Sequence, residues 1–156
     1  TTVHASGGTE MLAAAENASH EQASMLRTEA PLVLGVTVLT SMDDNNLAEL
    51  GIGGSVQEQV LRLAKLATNA GLRGLVCSPQ EIEMLRAELG GTVQLVTPGI
   101  RPEWSQANDQ KRTMTPAEAI QAGANWLVIG RPITGAADPK SAAIRILHTI
   151  NPELVP

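Results

Sequence analysis

S-V-Q-E-Q-V-L-R-L-A-K-L-A-T-N-A-G-L-R-G-L-V-C, residues 55–77, contains a whole helix and the strand that follows it. Ser55 with Glu58 forms a capping box, in which hydroxyl and carboxylate satisfy two backbone N–H groups left unpaired at a helix start. Val56, Val60, Leu63 and Ala67 recur at helical spacing and should face a sheet. Gly71 stands where a helix ends in a left-handed residue. Gly74 to Cys77 is then a short apolar run, the pattern of a parallel strand buried on both faces.

The same grammar continues outward in both directions. Ser78 with Glu81 and Thr115 with Glu118 repeat the box, Pro79 and Pro116 take the first helical position, and Gly90 ends another helix. Asp138 and Pro139 open a last helix, whose apolar stripe is Ile144, Leu147 and Ile150. Candidate strands run from Thr1 to His4, Leu32 to Val38, Gly74 to Cys77, Val93 to Thr97 and Trp126 to Ile129. Short apolar runs thus alternate with helices five times, without a linker. That order predicts an α/β fold with parallel strands and right-handed crossovers, a single domain over residues 1–156.

Composition narrows the function. Hydrophobic residues make up 43% and charged residues 17%, a globular balance and not a disordered one. A net charge of -5 and a pI near 5.1 oppose a broad nucleic-acid footprint. No apolar run reaches the roughly 18 residues of a membrane-spanning helix. The single cysteine, Cys77, permits no disulfide within the chain and reads as a small buried hydrophobe, which favours a cytoplasmic location. Phe and Tyr are absent, so the core must come from Leu, Ile, Val, Ala and Met. No His, Cys, Asp and Glu grouping has metal-ligand spacing.

Two long connections, Leu39 to Gly54 and Pro98 to Met114, leave the C-terminal ends of predicted strands, the side where α/β folds bind ligands. Val128-Ile129-Gly130-Arg131-Pro132-Ile133 delivers a glycine and then an arginine from a buried strand. A side-chain-free N–H lets a phosphate approach, and the guanidinium fork matches its oxygens; an ordinary strand-end salt bridge is the competing reading. Thr97-Pro98-Gly99-Ile100-Arg101-Pro102 ends the preceding strand in the same way and leads on to Gln110. Arg101, Gln110 and Arg131 can therefore converge on one anion, unless Arg101, Lys111 and Arg112 form a solvated basic patch. Thr40 and Ser41 offer hydroxyls suited to a heterocyclic base edge. Ser41 with Asp44 also resembles a helix-capping pair. His4 and Ser6 lack an acidic third member at any readable spacing, which argues against a nucleophilic triad.

Taken together, V-H-A-S-G-G at 3–8, G-V-T-V-L-T-S-M at 35–42, L-V-T-P-G-I-R-P at 95–102, D-Q-K-R-T-M-T-P at 109–116 and L-V-I-G-R-P-I-T at 127–134 resemble the bacterial orotidine 5'-phosphate decarboxylases, in order and in interval. The resemblance implies a (β/α)8 barrel of the ribulose-phosphate-binding type. It also implies conversion of orotidine 5'-phosphate to uridine 5'-phosphate and CO2 in pyrimidine synthesis, with no metal or organic cofactor. It places Thr40 and Ser41 at the pyrimidine, Pro98 in the base pocket, and Arg101, Gln110, Gly130 and Arg131 at the 5'-phosphate. It further implies a homodimer.

One departure stands against the match. The family's D-x-K-x-x-D motif, with a further Lys and Asp before it, supplies the charged array that stabilises the carbanion and protonates it. Nothing in these 156 residues aligns with it, because Asp109-Gln110-Lys111-Arg112-Thr113-Met114 lacks the second Asp and falls in the phosphate loop. The expectation is therefore five of eight βα units, about five-eighths of the roughly 250 residues of a whole barrel, with no catalytic residue in the chain. Thr1-Thr2-Val3-His4 then reads as a strand entered midway, and the chain is expected to self-associate or to pair with a missing N-terminal half. Two other readings remain: another phosphate-binding barrel lyase or synthase acting on sugar phosphates, and a non-catalytic half-barrel associating through its open sheet edges.

Overall fold

The computed structural model describes residues 1–105 and 112–151. Five strands and seven helices alternate along the chain: β1 Thr2–His4, α1 Thr9–Leu26, β2 Leu34–Val36, α2 Asp44–Glu49, α3 Val56–Asn69, β3 Gly74–Val76, α4 Ile82–Leu89, β4 Gln94–Thr97, α5 Pro116–Ala122, β5 Trp126–Leu127, α6 Arg131–Thr134 and α7 Pro139–Ile150. The sheet order is β1-β2-β3-β4-β5 and every pairing is parallel. A parallel sheet whose strands follow in sequence order winds in one direction only, as in a (β/α) barrel. This is a partial barrel of five βα units.

The predicted caps account for the helix boundaries. Ser55 and Glu58 close a reciprocal box at α3, and Thr115 and Glu118 do so at α5. Ser78 and Glu81 close one on the short 3-10 turn leading into α4, and Asp138 caps α7. Gly71 adopts a φ of +99°, a conformation that side-chain-bearing residues rarely reach. Val56, Val60, Leu63 and Ala67 of α3 are all buried, as their spacing requires. At Gly35 a Cβ would lie 3.1 Å from the Cβ of Ala67, so the missing side chain is what lets α3 settle against β2.

Three expectations are corrected. The strands are shorter than their apolar runs: β2 keeps only Leu34–Val36 of Leu32 to Val38, and β5 only Trp126–Leu127 of Trp126 to Ile129. In α7 the buried residue is Ile146, whereas Leu147 is 43% exposed. The strands are also not buried on both faces. Leu75 and Leu95 point to the helices and are 0% and 1% exposed, while on the other face Val36, Val76, Val96 and Trp126 lie side by side in register. Trp126 is 58% exposed, and Val128, two residues on, is 49% exposed. That second face is the interior side of a barrel, and the apolar runs were suited to a closure that five strands do not complete.

Polar staples hold the end of the sheet where the strands begin. Arg86 of α4 donates to the carbonyls of Gly123 at 2.7 Å and Val93 at 2.7 Å, and its guanidinium also meets the Asn125 side chain. Asn125 Oδ1 accepts the Leu95 N–H at 2.8 Å, which ties α4, α5 and β4 together. Arg73, ahead of β3, donates to the buried Glu16 carboxylate of α1 at 2.9 Å.

Cys77 is 1% exposed, and burial pushes its thiol up to about 12. The native chain should therefore resist a thiol reagent at neutral pH and react fully once unfolded; rapid native labelling would contradict the buried site. The unfolded chain releases this proton first. Stability linked to Cys77 is thus intact at neutral pH and falls as pH rises through the ordinary thiol range toward about 12.

Candidate functional site at the C-terminal ends of the strands

Beyond β2 the chain stays fastened to β3, because the Thr37 hydroxyl donates to the Val76 carbonyl at 2.9 Å and the Thr37 N–H reaches the same oxygen at 3.2 Å. A turn follows at once. The Met42 N–H donates to the Leu39 carbonyl at 3.0 Å, leaving Thr40 and Ser41 at the two central positions. Both residues share a cavity with Pro98, walled by Val36, Val76 and Cys77 from the ends of β2 and β3. Its volume is about 230 Å³, below the roughly 300 Å³ at which pockets begin to hold drug-sized ligands. A cavity of that size has room for one flat ring. Two hydroxyls against apolar walls suit a ring with polar groups on one edge.

The capping alternative for Ser41 is overturned. Asp43 is the N-cap of α2: its carboxylate accepts the Asn46 N–H at 3.1 Å, and the Asn46 side chain accepts the Asp43 N–H at 3.2 Å. Asp44 instead accepts the Val56 N–H at 2.7 Å and so joins α2 to the start of α3. A shift of two residues explains the mistaken pairing, since Ser41 and Asp43 both precede residues able to close a box.

Of the predicted phosphate residues, Arg101, Gly130 and Arg131 follow the next two strands and do not line that cavity. Thr97 pairs with Leu127, and the Val128 N–H donates to the Thr97 carbonyl at 2.9 Å. Arg101 and Arg131 each stand four residues beyond that pair in the sequence. Arg131 is exposed and opens α6, with Gly130 as the N-cap residue. A Cβ at Gly130 would meet nothing within 4 Å. Arg101 is 9% exposed and donates to the Ile100 carbonyl at 2.8 Å. Gln110 lies outside the described residues.

The structure adds Arg112 and Glu81, for which the sequence gives no signal beyond the cap at Glu81. Arg112 is 8% exposed and Glu81 1% exposed, and the two form a buried ion pair. Burial lowers the Arg112 guanidinium from its usual value, though an arginine keeps its charge at any ordinary pH. Arg101 and Arg112 are thus no solvated basic patch. Among the described residues, no three His, Cys, Asp or Glu side chains group as metal ligands would, and no helix is long and apolar enough to cross a membrane.

Known proteins resemble this chain over nearly its whole length. Orotidine 5'-phosphate decarboxylases from Idiomarina loihiensis and Gluconobacter oxydans are each 55% identical to the chain, over 148 and 150 residues, and the matches take in 95% and 96% of it. The chain spans 62% and 63% of the length of these relatives. The crystal structure of orotidine 5'-phosphate decarboxylase from Lactobacillus acidophilus superposes with a TM-score of 0.79 at 38% identity, covering 97% of this chain and 62% of that one. The family model described as "Orotidine 5'-phosphate decarboxylase / HUMPS family" matches residues 1–146, and with the parallel sheet and the strand-end site it shows that the chain belongs to that family.

Proposed function

We propose that this chain carries the nucleotide-binding part of an orotidine 5'-phosphate decarboxylase, the carboxy-lyase that releases CO2 and leaves uridine 5'-phosphate. The pyrimidine sits in the cavity of Thr40, Ser41 and Pro98, and the 5'-phosphate is gripped by Arg101, Gln110, Gly130 and Arg131. The observation that carries this reading is the cavity of Thr40, Ser41 and Pro98 at the ends of β2 and β3, with an arginine following each of the next two strands in the sequence. A nucleotide monophosphate has that shape, a flat base joined through ribose to a dianion. The reaction needs no metal or organic cofactor, and its setting is cytoplasmic pyrimidine synthesis.

Competition binding tests the reading. Uridine 5'-phosphate should displace a labelled nucleotide well below the concentrations needed for ribose 5-phosphate or a ketohexose phosphate, because only the nucleotide fills the base cavity. Equal potency of sugar phosphates and nucleotide would favour a sugar-phosphate lyase or synthase.

The half-uncovered face of the sheet carries a second consequence. Among the described residues, strands β1 and β5 each have one unpaired edge, and Trp126 and Val128 are exposed. Unpaired edges and apolar patches drive association. The purified chain is expected to sediment as a dimer or larger species at micromolar concentration, or to bind a separately supplied N-terminal half. A compact, stable monomer would count against this.

A further inference from the structure

We infer that Arg112 is a positioning residue that ties the phosphate loop to the turn presenting Thr40 and Ser41, so that the two halves of the nucleotide site are set by one buried side chain. The inference rests on the proposed nucleotide site for its ligand. Arg112 follows Gln110 by two residues in the loop that begins at Pro98. Its backbone lies next to the strand-like bridge between Ile100 and Met114, where the Arg101 N–H donates to the Met114 carbonyl at 2.9 Å. The side chain runs in the other direction, across to the end of β2. There Nη2 donates to the Leu39 carbonyl at 2.8 Å and lies 3.5 Å from the Val38 carbonyl.

The Leu39 carbonyl is the same oxygen that accepts the Met42 N–H and closes the turn. Its two lone pairs are thus shared between the turn and the arginine. The other end of the guanidinium is held by Glu81. That carboxylate is itself fixed, since its second oxygen accepts the Ser78 N–H at 2.7 Å within the box at the end of β3. The chain of contacts runs from the β3 cap through Glu81 and Arg112 to the base turn. A planar fork can serve a carboxylate and a carbonyl at once, which a lysine ammonium does poorly.

Arg112 itself need not touch the ligand. Its effect is to hold Thr40 and Ser41 where a base edge would meet them, and to couple that placement to the loop carrying Arg101. Occupancy of the phosphate grip then favours the base-binding turn, and the reverse holds by linkage.

The test uses Arg112→Lys and Glu81→Gln in the whole chain. The first keeps a cation opposite Glu81 and gives up the second arm; the second keeps an oxygen for the Ser78 N–H and removes the anchor. In both, the Met42 amide should exchange with solvent about tenfold faster, the loss of one charge-assisted contact, while Leu75 and Leu95 in the sheet keep their protection. Uridine 5'-phosphate affinity should fall by a similar factor, and ribose 5-phosphate affinity should fall less, because only the nucleotide also depends on the base turn. Unaltered exchange at Met42 overturns the inference whether or not any nucleotide binds. An equal loss for ribose 5-phosphate also overturns it, because Arg112 would then be a direct phosphate contact. A wild-type chain that ignores uridine 5'-phosphate would sink the proposed site, and the exchange measurement would still decide the role of Arg112.

Discussion

The 156-residue chain alone is expected to bind uridine 5'-phosphate and to leave orotidine 5'-phosphate intact, with turnover appearing when a separately made segment carrying D-x-K-x-x-D is added. Binding base and phosphate stabilises ground state and transition state alike unless that energy sets the reacting carbon against groups that respond to developing charge. Departure of the carboxylate leaves a carbanion that needs a neighbouring cation and a proton donor. Lys65, Lys111 and Lys140 are the only lysines in the sequence. Lys65 sits on α3 and pairs with Glu88 at 2.7 Å, and Lys140 lies in the first turn of α7. Lys111 is outside the described residues. No lysine among the described residues stands at the ligand end of a strand beneath the base cavity. Since loss of even one preorganised donor costs about 10² to 10³ in rate, loss of the whole array should remove detectable catalysis. Turnover by the purified chain, surviving removal of any host enzyme, would show that a reacting group in these residues has been overlooked.

The second large effect is expected at Arg131. Arg131→Ala should weaken uridine 5'-phosphate by about 1.5 to 3 kcal/mol, the worth of a charge-assisted pair, while uridine binds as before. Arg101→Ala should act in the same direction. Its side chain is buried and bonded to the Ile100 carbonyl, so a loss of thermal stability should accompany the loss of affinity. Gly130→Ala separates packing from ligand approach: nothing in the protein would touch the new methyl group, so stability should hold while the phosphate is pushed back. Calorimetry on uridine and its 5'-phosphate, beside melting curves, reads all three variants. Equal losses for both ligands at Arg131 would mark that residue as structural.

The order of elements and the helix starts were legible because their causes are local. A hydroxyl three residues before a glutamate, a proline at the first helical position and a four-position apolar stripe act within one turn, and the boxes at Ser55, Ser78 and Thr115 formed as read. Strand burial was misread for the opposite reason. An apolar run such as Trp126 to Ile129 records what a strand is suited to touch, and whether anything touches it depends on partners elsewhere. The clustering of Thr40, Ser41 and Pro98 came from motif order, since no periodicity links residues 57 positions apart. The pairing of Arg112 with Glu81 has no signature in the sequence, because it spans 31 residues and involves the carbonyl of a third segment, for which no side-chain pattern exists. Ser41 failed as a cap by a two-residue offset, the usual margin of error at a helix end.

Because each strand among the described residues pairs only with its predecessor and its successor in the chain, the sheet behaves as a one-dimensional stack. Every strand interface can form as soon as its own two neighbours exist, without waiting for a distant segment to return and insert between them. Such an architecture keeps the sequence separation of its strand contacts to one βα unit, which favours rapid, stepwise growth along the chain. It also means that adding or removing a unit at either end changes one interface and leaves the internal pairings as they were.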